Sequence, residues 1–194
     1  FTEVNRIIDA GYAADITDQM KKFGYADQIN DAIRSMVERD GKYYVVPDDT
    51  YAMGLLANMN LLRQAGYVDE NDNPIFPKTY DELTEFAKTI TEKTGKAGFI
   101  MPTTANAGGW HFTVIAWSNG VNFMEKQDGK WKATFDTPEC VEVLQWIKDL
   151  KWKYNTLNAN VLIDNAEAQK LYATDQGAFY LASRPAESLI SNYG

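Results

Sequence analysis

The chain contains few of the residues on which metal and nucleophilic chemistry depends. Its 194 residues include one cysteine, Cys140, and one histidine, His111, so an internal disulfide cannot form and the His/Cys ligand sets of zinc sites cannot be assembled. A serine triad would depend on His111 alone, and no Gly-x-Ser-x-Gly segment accompanies it. The glycine-rich phosphate loops are also missing from the sequence. We therefore expect no metal and no cofactor.

Basic charge and long apolar runs are scarce as well. The 27 acidic residues outnumber the 19 basic ones, and the net charge is -8, which argues against partners such as nucleic acid or anionic lipid surfaces. No apolar run reaches the roughly 18 residues that span a bilayer. Hydrophobic residues make up 45% of the chain, so a sizeable core is expected, in one domain or one and a half.

Helical and strand patterns alternate along the chain. Helices are predicted from residue 26 to 39, from 58 to Gly66, from 79 to Gly95, from 108 to 120, from 137 onward and from 164 to 174. Strands are predicted at residues 42–46, 52–56, 98–101 and 178–182. This alternation is typical of an α/β fold in which helices cover a sheet.

Three local patterns define element boundaries. Thr79 and Glu82 fit a capping box, in which each side chain accepts a hydrogen bond from the other residue's backbone N–H. Asp164 and Glu167 form a similar pair. Asp128-Gly129 predicts the tight turn of a β-hairpin over residues 122–135. For the helix that begins at 137, we expect a buried face formed by Cys140, Val141, Leu144, Ile147 and Leu150.

Four segments occur in the order found in a known family. Residues 41–47 (GKYYVVP) resemble a "G-K-x-Y-x-x-P" strand, and residues 56–62 (LANMNLL) resemble a "Y-N-K-D-L-F" segment. Residues 77–83 (PKTYDEL) are similar to a "P-K-T-W-D-E-L" helix start, and residues 175–179 (DQGAF) to an "x-x-G-x-A-M" turn and strand. In this order the chain resembles the family 1 extracellular solute-binding proteins of ABC transporters, the group that includes maltose-binding protein.

The resemblance implies a protein of two lobes that close on a ligand, with the periplasmic-binding-protein type II fold. Residues 1–47 would be the tail of the first lobe, 48–52 the hinge crossing, and 53–194 an incomplete second lobe. Because the chain begins with Phe1 and shows no leader, we expect a mature or truncated piece of a longer protein. The implied function is non-catalytic binding of a small polar solute, a sugar or oligosaccharide, for an ABC importer permease. The implied location is extracytoplasmic: periplasmic, or a cell-surface lipoprotein.

Five residues are predicted to bind the ligand, because sugars are held by aromatic rings and planar polar side chains. The resemblance places Tyr51 at the hinge, Trp110 at a helix start facing the cleft, and Arg184 where the last strand ends. His111 adjoins Trp110. Asp49 follows Asp48, and adjacent residues of an extended chain point to opposite sides, so only one of them could face a ligand. We favour Asp49.

Other interpretations remain open. A glycan-processing enzyme could use two carboxylates, Asp49 with Asp81 or Glu187, provided that they lie roughly 5–9.5 Å apart. A protein-interaction domain is a third candidate. The remaining large aromatic residues of interest are interpreted as structural, since they lie in amphipathic or hairpin settings: Tyr12, Trp117, Trp131, Trp146 and Trp152.

Overall fold

A computed structural model describes residues 4–47 and 52–193, which form two units, Phe1–Thr50 and Tyr51–Gly194. The division lies inside the predicted hinge crossing, and the assignment of the units to two lobes stays a prediction. Asp49 and Tyr51 lie outside the described residues.

The first unit has short elements and a small core. Its core consists of Met20, Ala26, Val37 and Tyr43, with partly buried neighbours such as Ile33. Its elements are α1 (Val4–Asp9), α2 (Thr17–Lys22), α3 (Asp31–Val37), β1 (Glu38–Arg39) and β2 (Lys42–Tyr43).

The predicted helix over residues 26–39 is wrong at both ends. The Asn30 side chain accepts a hydrogen bond from the Ile33 N–H and caps the helix there, so α3 begins at Asp31. At the other end, β1 pairs antiparallel with β2 across Asp40 and Gly41, whose φ angles are 54° and 75°. Gly41 therefore belongs to a hairpin turn, not to a helix end.

The second unit is built on a three-stranded sheet with the order β3-β7-β4. The central strand β7 runs antiparallel to β3 and parallel to β4, and the α/β prediction is confirmed. Its elements are β3 (Met53–Ala57), α4 (Met59–Ala65), α5 (Tyr80–Thr94), β4 (Ala97–Ile100), α6 (Ala107–Ser118), β5 (Met124–Gln127), β6 (Lys130–Ala133), α7 (Pro138–Trp152), α8 (Asn165–Ala173), β7 (Gly177–Ser183) and α9 (Ala186–Ile190).

Both faces of β7 are buried, because successive side chains of a strand point to opposite sides. Phe179 and Leu181 join a core with α4, α5, α6 and α7. Tyr180 and Ala182 join a second core with α8 and α9. The sheet is therefore covered by helices on both sides, and its strand ends are the positions where loops and helix starts come together.

The predicted caps and the second hairpin are confirmed, with one difference. Thr79 accepts from the Glu82 N–H at 3.1 Å, but the Glu82 carboxylate accepts from the N–H of Lys78 instead of Thr79. Asp164 caps α8 through the Glu167 N–H. β5 and β6 pair across Asp128-Gly129, both with positive φ.

The predicted buried face of α7 is partly wrong. Cys140, Val143 and Leu150 are buried, whereas Val141 and Leu144 are 61% and 54% exposed. Periodicity alone could not separate these faces, because apolar residues occur on both sides of this helix. Which side is buried depends on where α6 and the sheet lie.

Candidate functional site

The candidate site lies at the sheet edge where β4 and β7 end, which we call the carboxyl edge. Because these two strands are parallel, the segments that follow them emerge at the same edge. Arg184 directly follows β7, and α6 follows β4 after a short loop. Met53, the first residue of β3, pairs with Ser183 there. The chain order thus brings the predicted positions 110 and 184 to one side of the second unit.

Trp110 lies in the first turn of α6 and is 40% exposed. Trp117 follows seven residues later on the same side of α6 and is 60% exposed, so these two rings form an aromatic stripe along the helix. The Trp117 ring also packs edge-on against Phe123, with centroids 6.3 Å apart. A flat ring that is held in place and partly open to solvent is suited to cover the C–H face of a sugar.

The aromatic residues interpreted as structural differ in exposure, and that interpretation stays a prediction. Tyr12, Trp117, Trp131 and Trp152 are 86%, 60%, 67% and 77% exposed. Trp146 alone of the five is partly buried, and its ring N–H donates to the Thr84 hydroxyl at 2.9 Å. The exposed face of Trp117 is the feature that the sequence interpretation missed, although its spacing of seven residues from Trp110 indicates it.

Arg184 presents an available cation at the carboxyl edge. Its residue is exposed, and no residue in ranges 4–47 and 52–193 forms a side-chain hydrogen bond or ion pair with its guanidinium. An arginine fork can hold a hydroxyl pair or a carboxylate with two parallel hydrogen bonds. This position can therefore select for oxygen-rich or acidic ligands.

The start of α6 adds backbone donors to the same edge. Ala105 and Asn106 adopt the left-handed conformation, with φ of 50° and 65°, and no side chain caps the helix. The N–H of Ala107 donates to the Thr104 carbonyl and that of Trp110 to the Asn106 carbonyl, so the N–H groups of Gly108 and Gly109 are the ones that lack the usual side-chain acceptor. Gly108 approaches the loop so closely that an added Cβ would lie 3.0 Å from the Thr103 Cα. Left-handed backbone at a non-glycine residue is strained and is often retained at functional sites.

His111 lies beneath this surface and is 1% exposed. Its Nδ1 is 2.8 Å from the Ala107 carbonyl oxygen and its Nε2 is 2.9 Å from that of Leu181. Burial lowers the pKa of the imidazole below its ordinary 6.5, against the opposing effect of these two contacts. Both ring nitrogens already face protein oxygens, so in this conformation neither is open to a ligand.

A groove with a volume of about 600 Å3 opens near this edge, beside the loop between β4 and α6. It lies between that loop, the start of α8 and Tyr193, and its wall includes neither Trp110 nor Arg184. Its polar lining suits a hydroxyl-rich ligand and consists of Thr104, Asp164, Glu167, Lys170 and Tyr193. The sequence interpretation treated Asp164 and Glu167 only as capping residues.

The carboxylates of the enzyme alternative are distributed over different parts of the molecule. Asp81 lies in the first turn of α5, beside Tyr80, whose hydroxyl bonds the Ile115 carbonyl near the C-terminal end of α6. Glu187 lies in α9, just past the carboxyl edge. Ile115 lies eight residues after the start of α6, about 12 Å along the helix axis at 1.5 Å per residue, so Asp81 lies near the opposite end of this helix from Trp110.

No helix in the described part of the chain combines the length and the apolar character needed to cross a bilayer.

Comparison with solved structures defines the class of the fold. An ABC transporter solute-binding protein from Thermotoga lettingae, bound with alpha-D-tagatose, matches with a TM-score of 0.82 at 23% identity over 97% of this chain. MalE3 of T. maritima, bound to maltose, matches with a TM-score of 0.78 at 26% identity over 93%. The cyclic alpha-maltosyl-1,6-maltose binding protein from Arthrobacter globiformis matches with a TM-score of 0.70 at 31% identity over 93%. The fold is that of the periplasmic-binding-protein type II class.

The chain belongs to the bacterial extracellular solute-binding protein family, whose sequence model matches residues 2–190. The predicted resemblance is confirmed. An arabinooligosaccharide-binding protein of Halalkalibacterium halodurans is 28% identical over 124 residues, which is 64% of this chain and 25% of that protein. The chain covers 47%, 44% and 44% of the three solved structures, so it spans less than half of their length.

Proposed function

We propose that the complete protein binds a small polar solute, a sugar or oligosaccharide, and delivers it to the permease of an ABC importer. The observation that carries this proposal is the exposure of Trp110 and of Arg184 at one sheet edge, in a chain that belongs to a family of solute-binding proteins. The two side chains supply a ring for stacking and a planar donor for hydroxyl groups.

The remaining predicted residues are part of this proposal. Tyr51 precedes β3 by two residues and Asp49 by four, and β3 begins at the carboxyl edge. Both would add hydrogen-bonding oxygens to the same wall. His111 contributes indirectly, because it is buried beneath this surface. The remaining half of the complete protein would supply the opposite side of the cleft.

The protein acts by binding, without catalysis, at an extracytoplasmic site, either in the periplasm or as a lipoprotein of the cell surface. The family and the relatives that carry sugars support this location and this role. The wide separation of Asp81 from the carboxyl edge counts against a carboxylate pair that includes it. Neither a cofactor nor a nucleic acid is part of the proposal.

The test is a ligand screen on the full-length protein by thermal shift, followed by calorimetric titration. The panel contains arabinooligosaccharides, maltose, tagatose, mannitol and an acidic sugar. A ligand at 100 times its Kd stabilises the folded protein by about 2.7 kcal/mol, which a thermal shift detects. Hydrolysis of a chromogenic glycoside would contradict the proposal and favour the enzyme.

Two substitutions locate the site. Trp110→Ala should weaken binding at least tenfold, about 1.4 kcal/mol, because the stacking ring is lost. Trp152→Ala is the matched control, because Trp152 is 77% exposed at the end of α7, and it should leave Kd unchanged. Equal affinity in the Trp110 and Trp152 variants would refute the placement of the site. Arg184→Gln separates acidic from neutral ligands, since only the former should lose most of their affinity.

A further inference from the structure

The strand β7 is longer than its parallel partner β4, which leaves part of its backbone without a strand neighbour. β4 ends at Ile100, opposite Tyr180, whereas β7 continues to Ser183 along β3. The Asn58 N–H donates to the Ala178 carbonyl from the β3 side. Hydrogen-bonded and non-hydrogen-bonded pairs alternate in an antiparallel ladder. The Leu181 carbonyl therefore points to the β4 side of β7, at a position beyond the end of β4.

The side chain of His111 lies at this position, where none of the described strands pairs with the β4 side of β7. Its Nε2 is 2.9 Å from the Leu181 oxygen, and Leu181 is 9% exposed, so water has little access to replace this bond. A buried carbonyl without a donor is costly. The Ala107 oxygen near Nδ1 is the i−4 acceptor of the backbone N–H of His111 itself, so it has a donor already. In the neutral ring, a proton on Nε2 leaves neither carbonyl without a donor, whereas a proton on Nδ1 would leave the Leu181 oxygen without one.

Backbone hydrogen bonds from Thr103 and Thr104 to Ile163 and from Ala107 to Thr104 hold the loop before α6, but the first turn itself consists of residues that favour helix weakly. It contains Gly108 and Gly109, and glycine disfavours helix by about 1 kcal/mol per residue relative to alanine. No side chain caps this helix, so its start depends on contacts from outside. The His111 bond is the side-chain hydrogen bond that joins this turn to β7 among the residues described.

We propose that His111 is a positioning residue that sets the separation of Trp110 from Arg184 by bonding the first turn of α6 to Leu181. Trp110 precedes His111 directly, and Arg184 follows Leu181 by three residues. One hydrogen bond thus joins the element that carries the exposed ring of Trp110 to the strand that leads to the exposed Arg184. This inference rests on the proposed function for its effect on ligand affinity, but the bond itself can be tested without a ligand.

Conservative variants of the full-length protein test the hydrogen bond that the Nε2–H of His111 donates to Leu181. Glutamine reaches with its amide nitrogen to the position of Nε2, whereas asparagine reaches only to that of Nδ1. His111→Gln should keep affinity close to that of the wild type. His111→Asn should weaken binding of the sugar found in the screen by about tenfold, since the donor to Leu181 is lost. Asparagine is also smaller, so His111→Met is the control for bulk: it fills the space but has no donor, and we expect it to weaken binding as His111→Asn does, whereas wild-type affinity in His111→Met would show that the ring only fills space.

Ligand-free measurements accompany the titrations. Nitrogen NMR of the single imidazole should show Nε2 protonated and Nδ1 bare. Amide hydrogen exchange over residues 109–112 should be faster in His111→Asn than in the wild type and slow again in His111→Gln. An Nδ1–H tautomer, or unchanged exchange in His111→Asn, overturns the inference. If the wild type binds no solute, the proposed function fails while these ligand-free results still decide the role of His111.

Discussion

Gly98 allows β4 to lie directly against α5, and Gly98→Ala tests how tightly the sheet is held to that helix. A Cβ built at Gly98 would lie 2.4 Å from the Cα and the carbonyl oxygen of Ala87, and 2.5 Å from its Cβ. Ala87 is fully buried in the middle of α5. Ordinary contacts of this kind lie at about 3.5–4.0 Å, so α5 and β4 would have to separate by about 1 Å.

The clash at Gly98 is with backbone atoms, which cannot rotate away as a side chain can, so the loss of stability should be large. Overpacking in a core costs typically about 1–3 kcal/mol, and we expect Gly98→Ala at or above the upper end. Gly177→Ala meets the side chain of Ile100 at 2.4 Å. That side chain is β-branched and fully buried, so it can move only against its neighbours, and about 1–3 kcal/mol is expected, less than for the clash with backbone at Gly98. Gly54→Ala has no atom within 4 Å of its Cβ and should be neutral or stabilising by about 0.5 kcal/mol.

The assay is urea denaturation followed by circular dichroism, with all three variants compared under one condition. The expected order of destabilisation is Gly98→Ala, then Gly177→Ala, then Gly54→Ala. A Gly98→Ala protein as stable as Gly54→Ala would refute the close approach of β4 to α5.

Three further predictions concern the pH response, a cap and an exposed carboxylate. Burial lowers the pKa of His111 below 6.5, so on acidification the unfolded chain binds a proton at His111 at a higher pH than the folded chain does. The free energy of unfolding should therefore fall as the pH drops below about 6.5. His111→Gln should remove the histidine contribution to this slope in urea titrations, and a gain of stability on acidification would contradict it. Asp164→Ala removes the cap of α8 and should cost about 1 kcal/mol, whereas Asp164→Asn should cost little; equal losses in thermal unfolding would contradict the cap. Hydrogen bonds from Thr17 lower the pKa of Asp15 to about 2, so carboxyl NMR should show the Asp15 carboxylate still charged at pH 3.8. The stability that these bonds contribute should be lost as the pH falls from 3.8 towards 2. Titration of Asp15 at an ordinary pKa would refute the bonds.

The boundaries that could be predicted from the sequence are those set by neighbours along the chain. Thr79 and Asp164 accept hydrogen bonds from backbone groups three residues away, and Asp128-Gly129 forms its turn within four residues. Such contacts need no partner from elsewhere in the fold. Asp40-Gly41 carries the same turn pattern, yet the helical spacing before it favoured a longer helix, and only the pairing of β1 with β2 decided between them.

The order of strands and helices in the sequence determined the fold class, the family resemblance and the positions that follow β4 and β7. Burial was decided by the tertiary structure, because it depends on which surfaces are covered by segments remote in sequence. Val141 and Leu144 are exposed, whereas His111 of α6 is buried against Leu181 of β7. Trp110 and Trp117 are partly open for the same reason, although the Trp117 ring packs edge-on against Phe123. Local hydrogen bonds are encoded within a few residues, whereas the inside and the outside of each helix exist only once the sheet is assembled.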